Sequence, residues 1–155
     1  MTTCNDVIFR MRKRIESTFG HRLELVFDGD WKKRKFSLSD IEVISFDEWV
    51  NERTSGLSHP FKHDKRCLGH RHMEAMMKKQ QQIPVSYKEF EAIVFAGTGW
   101  QGGYGGTVFP CLHWGAPLDK KRGSWRWNVT FRSPGCAPDD IREKYRIIRF
   151  CEMTA

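Results

Sequence analysis

The stretch that most constrains this chain is GTGWQGGYGGTVFPCLHWG, residues 97–115. It holds seven glycines together with the large aromatic residues Trp100, Tyr104 and Trp114. Glycine loses more backbone freedom on folding than any other residue. A cluster of glycines is therefore costly unless the backbone needs unusual angles or approaches another group closely. We expect the stretch to be a tight structural junction or part of a site.

The glycine-rich part of this stretch has three interpretations. Its backbone amides could cradle a phosphate, its aromatic residues could stack on bases or contact a protein, or it could be a flexible connector. It lacks the Gly-Lys-Ser/Thr end of a P-loop, and its G-x-G-x-x-G letters lie outside any βαβ pattern. The aromatic interpretation is favoured, because large aromatic side chains serve no purpose in a plain connector. It predicts Trp100 and Tyr104 as contact residues.

The segments that follow the glycines have strand patterns. Thr107 to Trp114 is interrupted by Pro110, which predicts an edge strand or a bulge. Ser124 to Ser133 alternates most clearly. Its tryptophans at 125 and 127, with Val129 and Phe131, are predicted to face the core, while the alternate residues from Arg126 to Arg132 form a polar, basic face.

Helices and strands are mixed along the rest of the chain. Apolar spacings of four predict an amphipathic helix over residues 6–19, whose polar face carries Arg10, Arg12, Lys13 and Arg14 and is either solvated or in contact with phosphate. A long helix is predicted at about 60–82, with Gly69 as its weak point. Ser45 and Glu48 have the spacing of a capping box at the start of a further helix. Residues 87–96 favour a helix that leads into a strand. The remaining predicted elements are strands at 23–27, 31–37, 41–46 and 145–151 and short helices at 47–53 and 139–144.

These elements show no βαβ regularity, so the predicted class is α+β. We expect one compact domain, residues 1–155, with a mostly antiparallel sheet of about five strands. One long helix (about 60–82) and two or three shorter helices complete the prediction. A chain of 155 residues is long enough to bury a sizeable core without crosslinks.

Composition narrows the function classes. Hydrophobic residues make up 39% and aromatic residues 13% of the chain, which is typical of a globular protein rather than a disordered one. No apolar run is long enough for a membrane span or a signal peptide. Five cysteines in that setting suggest a reducing, cytoplasmic environment. The formal net charge of +7 favours a polyanionic partner such as DNA, RNA or an anionic surface. Without an apolar run of spanning length, no membrane partner is expected.

The segment HPFKHDKRCLGHRHMEA is densest in metal-ligand types. On one continuous helix His63, Cys67, His70 and Glu74 would share a stripe, but that stripe is over ~16 Å long at 1.5 Å per residue, too long for one ion. A second element is needed, and Cys111 with His113 could supply it. A zinc set of Cys67, His70, Cys111 and His113 is thus predicted, with His63, Glu74 or Cys136 as substitutes. The spacings match no known finger or ribbon, so the expected cofactor is none or one zinc ion.

Three functions stay open at this point. The first is a small basic protein that binds nucleic acid, with Trp100 and Tyr104 stacking on bases. Its phosphate contacts are predicted at Lys32, Lys33, Arg34, Lys35, Lys120, Lys121, Arg122, Arg126 and Arg132. The second is a protein-binding accessory or inhibitor factor that acts through the Trp100/Tyr104 loop. The third is a metal-dependent hydrolase or nuclease. No stretch matches a catalytic signature, so an enzyme is the less favoured class.

Overall fold

The computed structural model describes residues 10–16, 23–28, 38–54, 66–101, 107–116 and 125–151. Within them the strands are β1 (Glu24–Asp28), β2 (Ile41–Ser45), β3 (Ala92–Val94), β4 (Thr98–Gln101), β5 (Thr107–Gly115), β6 (Arg126–Arg132) and β7 (Tyr145–Phe150). The helices are α1 (10–16), α2 (Phe46–Thr54), α3 (His70–Lys78) and α4 (Asp139–Arg142). Short 3-10 turns lie at Leu38–Asp40, Gln80–Gln82, Val85–Glu89 and Pro134–Cys136.

All seven strands belong to one sheet, in the order β1-β4-β5-β3-β7-β2, with β6 paired to β5. Every pairing is antiparallel except that of β3 with β7. The α+β class is confirmed. The expected sheet of about five antiparallel strands is wrong, because the sheet is mixed and has seven strands. The main omission was β4, whose glycines suggested a loop.

β3 and β4 both pair with β5, and Pro110 marks the place where the pairing breaks. Val94 pairs with Cys111 and Trp100 with Val108. Between these two pairs, the Phe95 amide donates to the Pro110 carbonyl (2.9 Å). The chain then turns away from β5 at residues 96–97. Proline has no amide hydrogen, so it is tolerated where a partner strand leaves the ladder. β5 is an interior strand rather than an edge. Pro110 lies where the partner on one side changes from β3 to β4, while the register with β6 on the other side continues without a shift.

Alternate residues of the interior strands belong to two different apolar clusters. On β5, Val108 and Leu112 pack with the methionines of α3 and with Met11 and Ile15 of α1. Phe109 and Cys111 pack on the opposite face with Phe46 and Trp49 of α2. Because side chains alternate across a strand, the sheet is covered on both faces, by α1 and α3 on one and by α2 on the other.

The long helix predicted at 60–82 is wrong where the structure describes it. The helix begins at His70 and ends at Lys78. Before it, Cys67 forms an antiparallel bridge with Arg149 of β7, and the Leu68 amide donates to the Ile148 carbonyl (3.2 Å). Gly69 is extended at the N-cap, and its amide donates to Nδ1 of His72 (3.1 Å). Cys67 and Leu68 thus bond to the sheet, and the hydrogen bonds to the helix begin at Gly69.

Several local predictions agree with the structure. Residues 10–16 are helical with Met11 and Ile15 buried, and the Glu48 amide donates to Oγ of Ser45 (3.1 Å) at the start of α2. Residues 87–96 hold a 3-10 turn and β3 rather than an α-helix. The predicted strand at 31–37 lies outside the described residues. No helix in the described ranges is both long and apolar enough to cross a membrane.

A buried arginine joins β7 to β2 and α2. The Arg149 side chain is only 7% exposed, and its guanidinium donates to Glu42 (2.9 Å) and to Glu52 (2.7 Å). Burial acts to lower the pKa of Arg149, but its hydrogen bonds to these two carboxylates outweigh that effect and raise the pKa. The charge is therefore retained and paired, as a buried charge requires.

Candidate functional site

A basic groove of about 980 Å³ lies between α1, α3 and β6. It is lined by Arg10, Arg14, Glu74, Met77, Lys78, Gln80, Arg126, Trp127, Asn128 and Val129. β6 pairs with β5 alone among the described strands, so the groove runs beside a sheet edge. Its described lining includes four cationic side chains.

Local helix geometry places the cations that come from the two helices. Met11 and Ile15 are buried four residues apart, so Arg10 and Arg14, also four apart, share the adjacent stripe of α1. On α3, Met73 and Met76 face the core, which leaves Glu74 and Lys78 together on the neighbouring stripe. Both stripes border the groove.

The groove has a formal excess of three positive charges, from Arg10, Arg14, Lys78 and Arg126 against Glu74. Arg10 donates to the Glu74 carboxylate at 2.9 Å, and the two side chains are 47% and 30% exposed. Exposed ion pairs of this kind contribute only about 0–1 kcal/mol. An incoming anion can therefore compete with Glu74 for Arg10 at little cost.

The lining of the groove includes apolar side chains and the buried side-chain amide of Asn128. Met77 and Val129 are partly buried and expose apolar surface. The Asn128 side chain is buried and donates to the carbonyls of Arg126 (3.0 Å) and Gly115 (3.3 Å). These bonds hold the ends of β5 and β6 together, so the position of Arg126 is set by the sheet.

Trp125 directly precedes the groove residue Arg126 and is 63% exposed. The alternation of β6 predicted that Trp125 would face the core with Trp127, Val129 and Phe131. Trp127 and Phe131 are buried, but the prediction for Trp125 is wrong. The strand begins only at Arg126, and the sheet does not extend far enough to cover the preceding ring.

Trp100 has the opposite placement. Its side chain is completely buried, between β1 and β5, where Leu25 and Val108 are its strand partners. The prediction that Trp100 stacks on bases or anchors a protein is contradicted by this burial, because a covered ring has no face for a ligand. Tyr104, the other aromatic residue of that prediction, lies outside the described residues.

The other predicted phosphate contacts divide into three groups. Lys32 to Lys35 and Lys120 to Arg122 lie outside the described residues. Arg126 lines the groove. Arg132 is on the far end of β6, where it donates to Glu91 (2.9 Å) and to the Tyr145 hydroxyl (3.3 Å). Because those partners already engage its guanidinium, Arg132 has a structural role in this conformation.

The predicted zinc ligands are not brought together. No three His, Cys, Asp or Glu side chains within the described ranges lie in a group that could hold a metal. The amide of His70 donates to Oγ1 of Thr98 (3.1 Å), and Nδ1 of His70 lies 2.8 Å from the same oxygen. His113 donates from Nδ1 to the Glu91 carbonyl (2.7 Å).

The chemistry of the remaining candidates agrees with this arrangement. Burial raises the pKa of the Cys111 thiol to about 12, and zinc binds the thiolate form. Cys67 is buried in the core, Cys136 is exposed near Ser133, and Glu74 pairs with Arg10. His63 lies outside the described residues. The prediction of none or one bound zinc ion is tested by elemental analysis of the purified protein.

Sequence reasoning missed Lys78 and Trp125 as site residues. It recognised the basic face of the first helix but did not place Arg10 and Arg14 in a site. The usable signal was a pair of cations four residues apart beside a buried apolar stripe. No local pattern indicated that α3 and β6 lie beside that stripe.

Comparisons with known proteins add no constraint on this assignment. No family model, no curated protein and no solved structure matches the chain. The functional argument therefore depends on the groove itself.

Proposed function

We propose that this protein binds nucleic acid, with the basic groove contacting the phosphate backbone. The observation that carries the proposal is the convergence of cations from three separate elements on one concavity: Arg10 and Arg14 from α1, Lys78 from α3 and Arg126 from β6. The chain's net charge of +7 supports attraction to a polyanion over a longer range.

The proposal predicts a defined salt dependence. Each phosphate that a lysine or arginine neutralises releases condensed counterions, which gives a slope of log K against log salt of about −0.7 per contact for a single strand. Three or four contacts therefore give a slope of roughly −2 to −3. A steeper slope would indicate additional phosphate contacts, for which Lys32 to Lys35 and Lys120 to Arg122 are the candidates.

The direct test is fluorescence anisotropy with labelled oligonucleotides over a series of salt concentrations. Lys78→Ala or Arg126→Ala should weaken binding and reduce the steepness of the slope by about 0.7 for a single strand. Lys144→Ala is the matched control, because Lys144 is exposed, does not line the groove, and its loss changes the net charge equally. If the control weakens binding as much as Lys78→Ala, the groove is not the site.

The two alternative functions have less support. A protein-binding factor was expected to use Trp100, which is buried. It would be favoured over nucleic acid by salt-insensitive capture of a single protein. A metal-dependent hydrolase or nuclease needs ligands that converge, and no such group occurs in the described part of the chain.

A further inference from the structure

The basic groove combines charge with apolar and aromatic surface. Its cationic side chains come from both helices and from β6, while Met77 and Val129 contribute apolar atoms to its lining. Trp125, next to Arg126, presents a largely uncovered indole ring. Contacts to the phosphates of a duplex come from charged and polar groups, so they use neither the apolar lining nor the exposed ring.

We propose that the groove takes a single strand of nucleic acid, RNA or DNA, and that one base stacks on Trp125. This inference rests on the proposed function and assigns its substrate class. Proteins that bind single strands combine a positively charged groove, which follows the backbone, with aromatic side chains on which bases stack. Here the cationic side chains line the groove, and the exposed Trp125 directly precedes Arg126, which is one of the lining residues.

A duplex fits these features less well. In a duplex the bases are already paired and stacked, and an aromatic side chain reaches a base face only after unstacking, which costs a few kcal/mol per step. A single strand leaves its base faces open, so Trp125 can stack without that cost. Arg126, the next residue in the chain, lines the groove and is our candidate for contacting a neighbouring phosphate.

The location of Trp125 also makes the inference testable without disturbing the fold. The ring is 63% exposed and belongs to neither apolar cluster of the sheet, so its removal should leave the melting temperature close to that of the wild type. Trp127 is the contrasting case, since it is buried and packs in the core. A loss of binding in a Trp125 variant can therefore be attributed to the surface.

The experiment compares labelled single-stranded DNA and RNA oligonucleotides of about 10–16 nucleotides with a duplex of the same sequence, a length suited to one binding groove. Trp125→Ala should weaken single-strand binding roughly 5- to 150-fold, the range expected for loss of one stacked base. It should leave the salt slope unchanged, since no cation is removed. Trp125→Phe should restore most of the affinity, and duplex binding should be weaker than single-strand binding in the wild type.

Each outcome decides the inference. Wild-type protein that binds the duplex as tightly as the single strand, or Trp125→Ala with unchanged single-strand affinity, overturns the single-strand assignment. If Lys78→Ala and Arg126→Ala still weaken binding in that case, the proposed function survives alone. If neither oligonucleotide binds at low salt, the proposed function fails together with the inference. Tighter binding of RNA or of DNA, with the expected Trp125 effect, supports the inference and identifies the natural ligand chemistry.

Discussion

Replacing Gly97 with alanine should destabilise the protein by blocking a backbone-to-backbone contact. A Cβ atom at this position would lie 2.6 Å from the Cys67 carbonyl oxygen and 2.9 Å from both the Gly69 nitrogen and the Leu68 carbonyl carbon. All three are backbone atoms, so no side-chain rotation can relieve the overlap. The 67–69 segment must move away from the turn that joins β3 to β4.

The cost can be estimated from the contacts at this junction. Overpacking a tight site costs typically about 1–3 kcal/mol. Movement of the segment also weakens the 2.9 Å hydrogen bond from the Gly97 amide to the Leu68 carbonyl and the Thr98 bonds to His70, each contributing about 1 kcal/mol. Reduced entropy of the unfolded chain returns about 0.4–1 kcal/mol. We expect a net loss of about 2–4 kcal/mol.

The assay is urea unfolding, with thermal unfolding as a second readout. For a domain of this size a loss of 1 kcal/mol lowers the melting temperature by about 2–4 °C, so Gly97→Ala should lower it by roughly 5–15 °C. Gly115→Ala is the matched control. Its Cβ would meet Nε2 of His113 at 2.6 Å, and that ring can rotate away after giving up one hydrogen bond to Glu91.

The control variant should therefore lose less than about 1 kcal/mol, the contribution of a single hydrogen bond. Equal losses in the two variants would refute the reasoning, because they would show that the close approach of residues 67–69 to Gly97 does not limit stability. A Gly97→Ala protein of wild-type stability would refute it outright.

Three further predictions concern the groove and the cysteines. Glu74→Gln should strengthen oligonucleotide binding severalfold, because it removes the one negative charge among the described lining residues and the ion-pair partner of Arg10. Unchanged or weaker binding in an anisotropy titration at low salt would show that this charge is irrelevant. The raised pKa of buried Cys111, from 9.0 to about 12, means that the folded state holds this proton more tightly than the unfolded state does. The stability linked to it is complete below about pH 9 and is lost as the pH rises towards 12. The free energy of unfolding should fall over that range, and fall less in Cys111→Ala. Thiol labelling of the native protein should reach Cys136 but not Cys111, and equal labelling rates for the two would contradict the burial.

Helices and strands whose apolar residues recur at regular spacing were predicted correctly. The first helix showed its buried stripe as spacings of four, and β6 showed its core residues by alternation. The start of α2 was marked by Ser45 and Glu48. In each case the information lies within a few residues, because helix and strand geometry repeats over that distance.

The failures occurred where a distant partner decided the outcome. Residues 67–69 were predicted to be helical, but Cys67 and Leu68 bond to β7 and Leu68 also bonds to Gly97, so the helix begins only at His70. Gly97 and Gly99 suggested a loop, but residues 98–101 pair with β1 and form a strand. Local propensity is a weak prior that tertiary contacts override.

The sequence by itself determined the charge, the α+β class and the amphipathic faces of individual elements, since these follow from composition and short-range periodicity. Only the tertiary structure decided which tryptophan is available to a ligand. Trp100 lies between two partner strands and is buried, whereas Trp125 immediately precedes the first residue of β6 and is exposed. It also brought Arg10 and Glu74, 64 residues apart, into one groove. Such contacts depend on how whole elements pack, which the spacing of neighbouring residues does not contain.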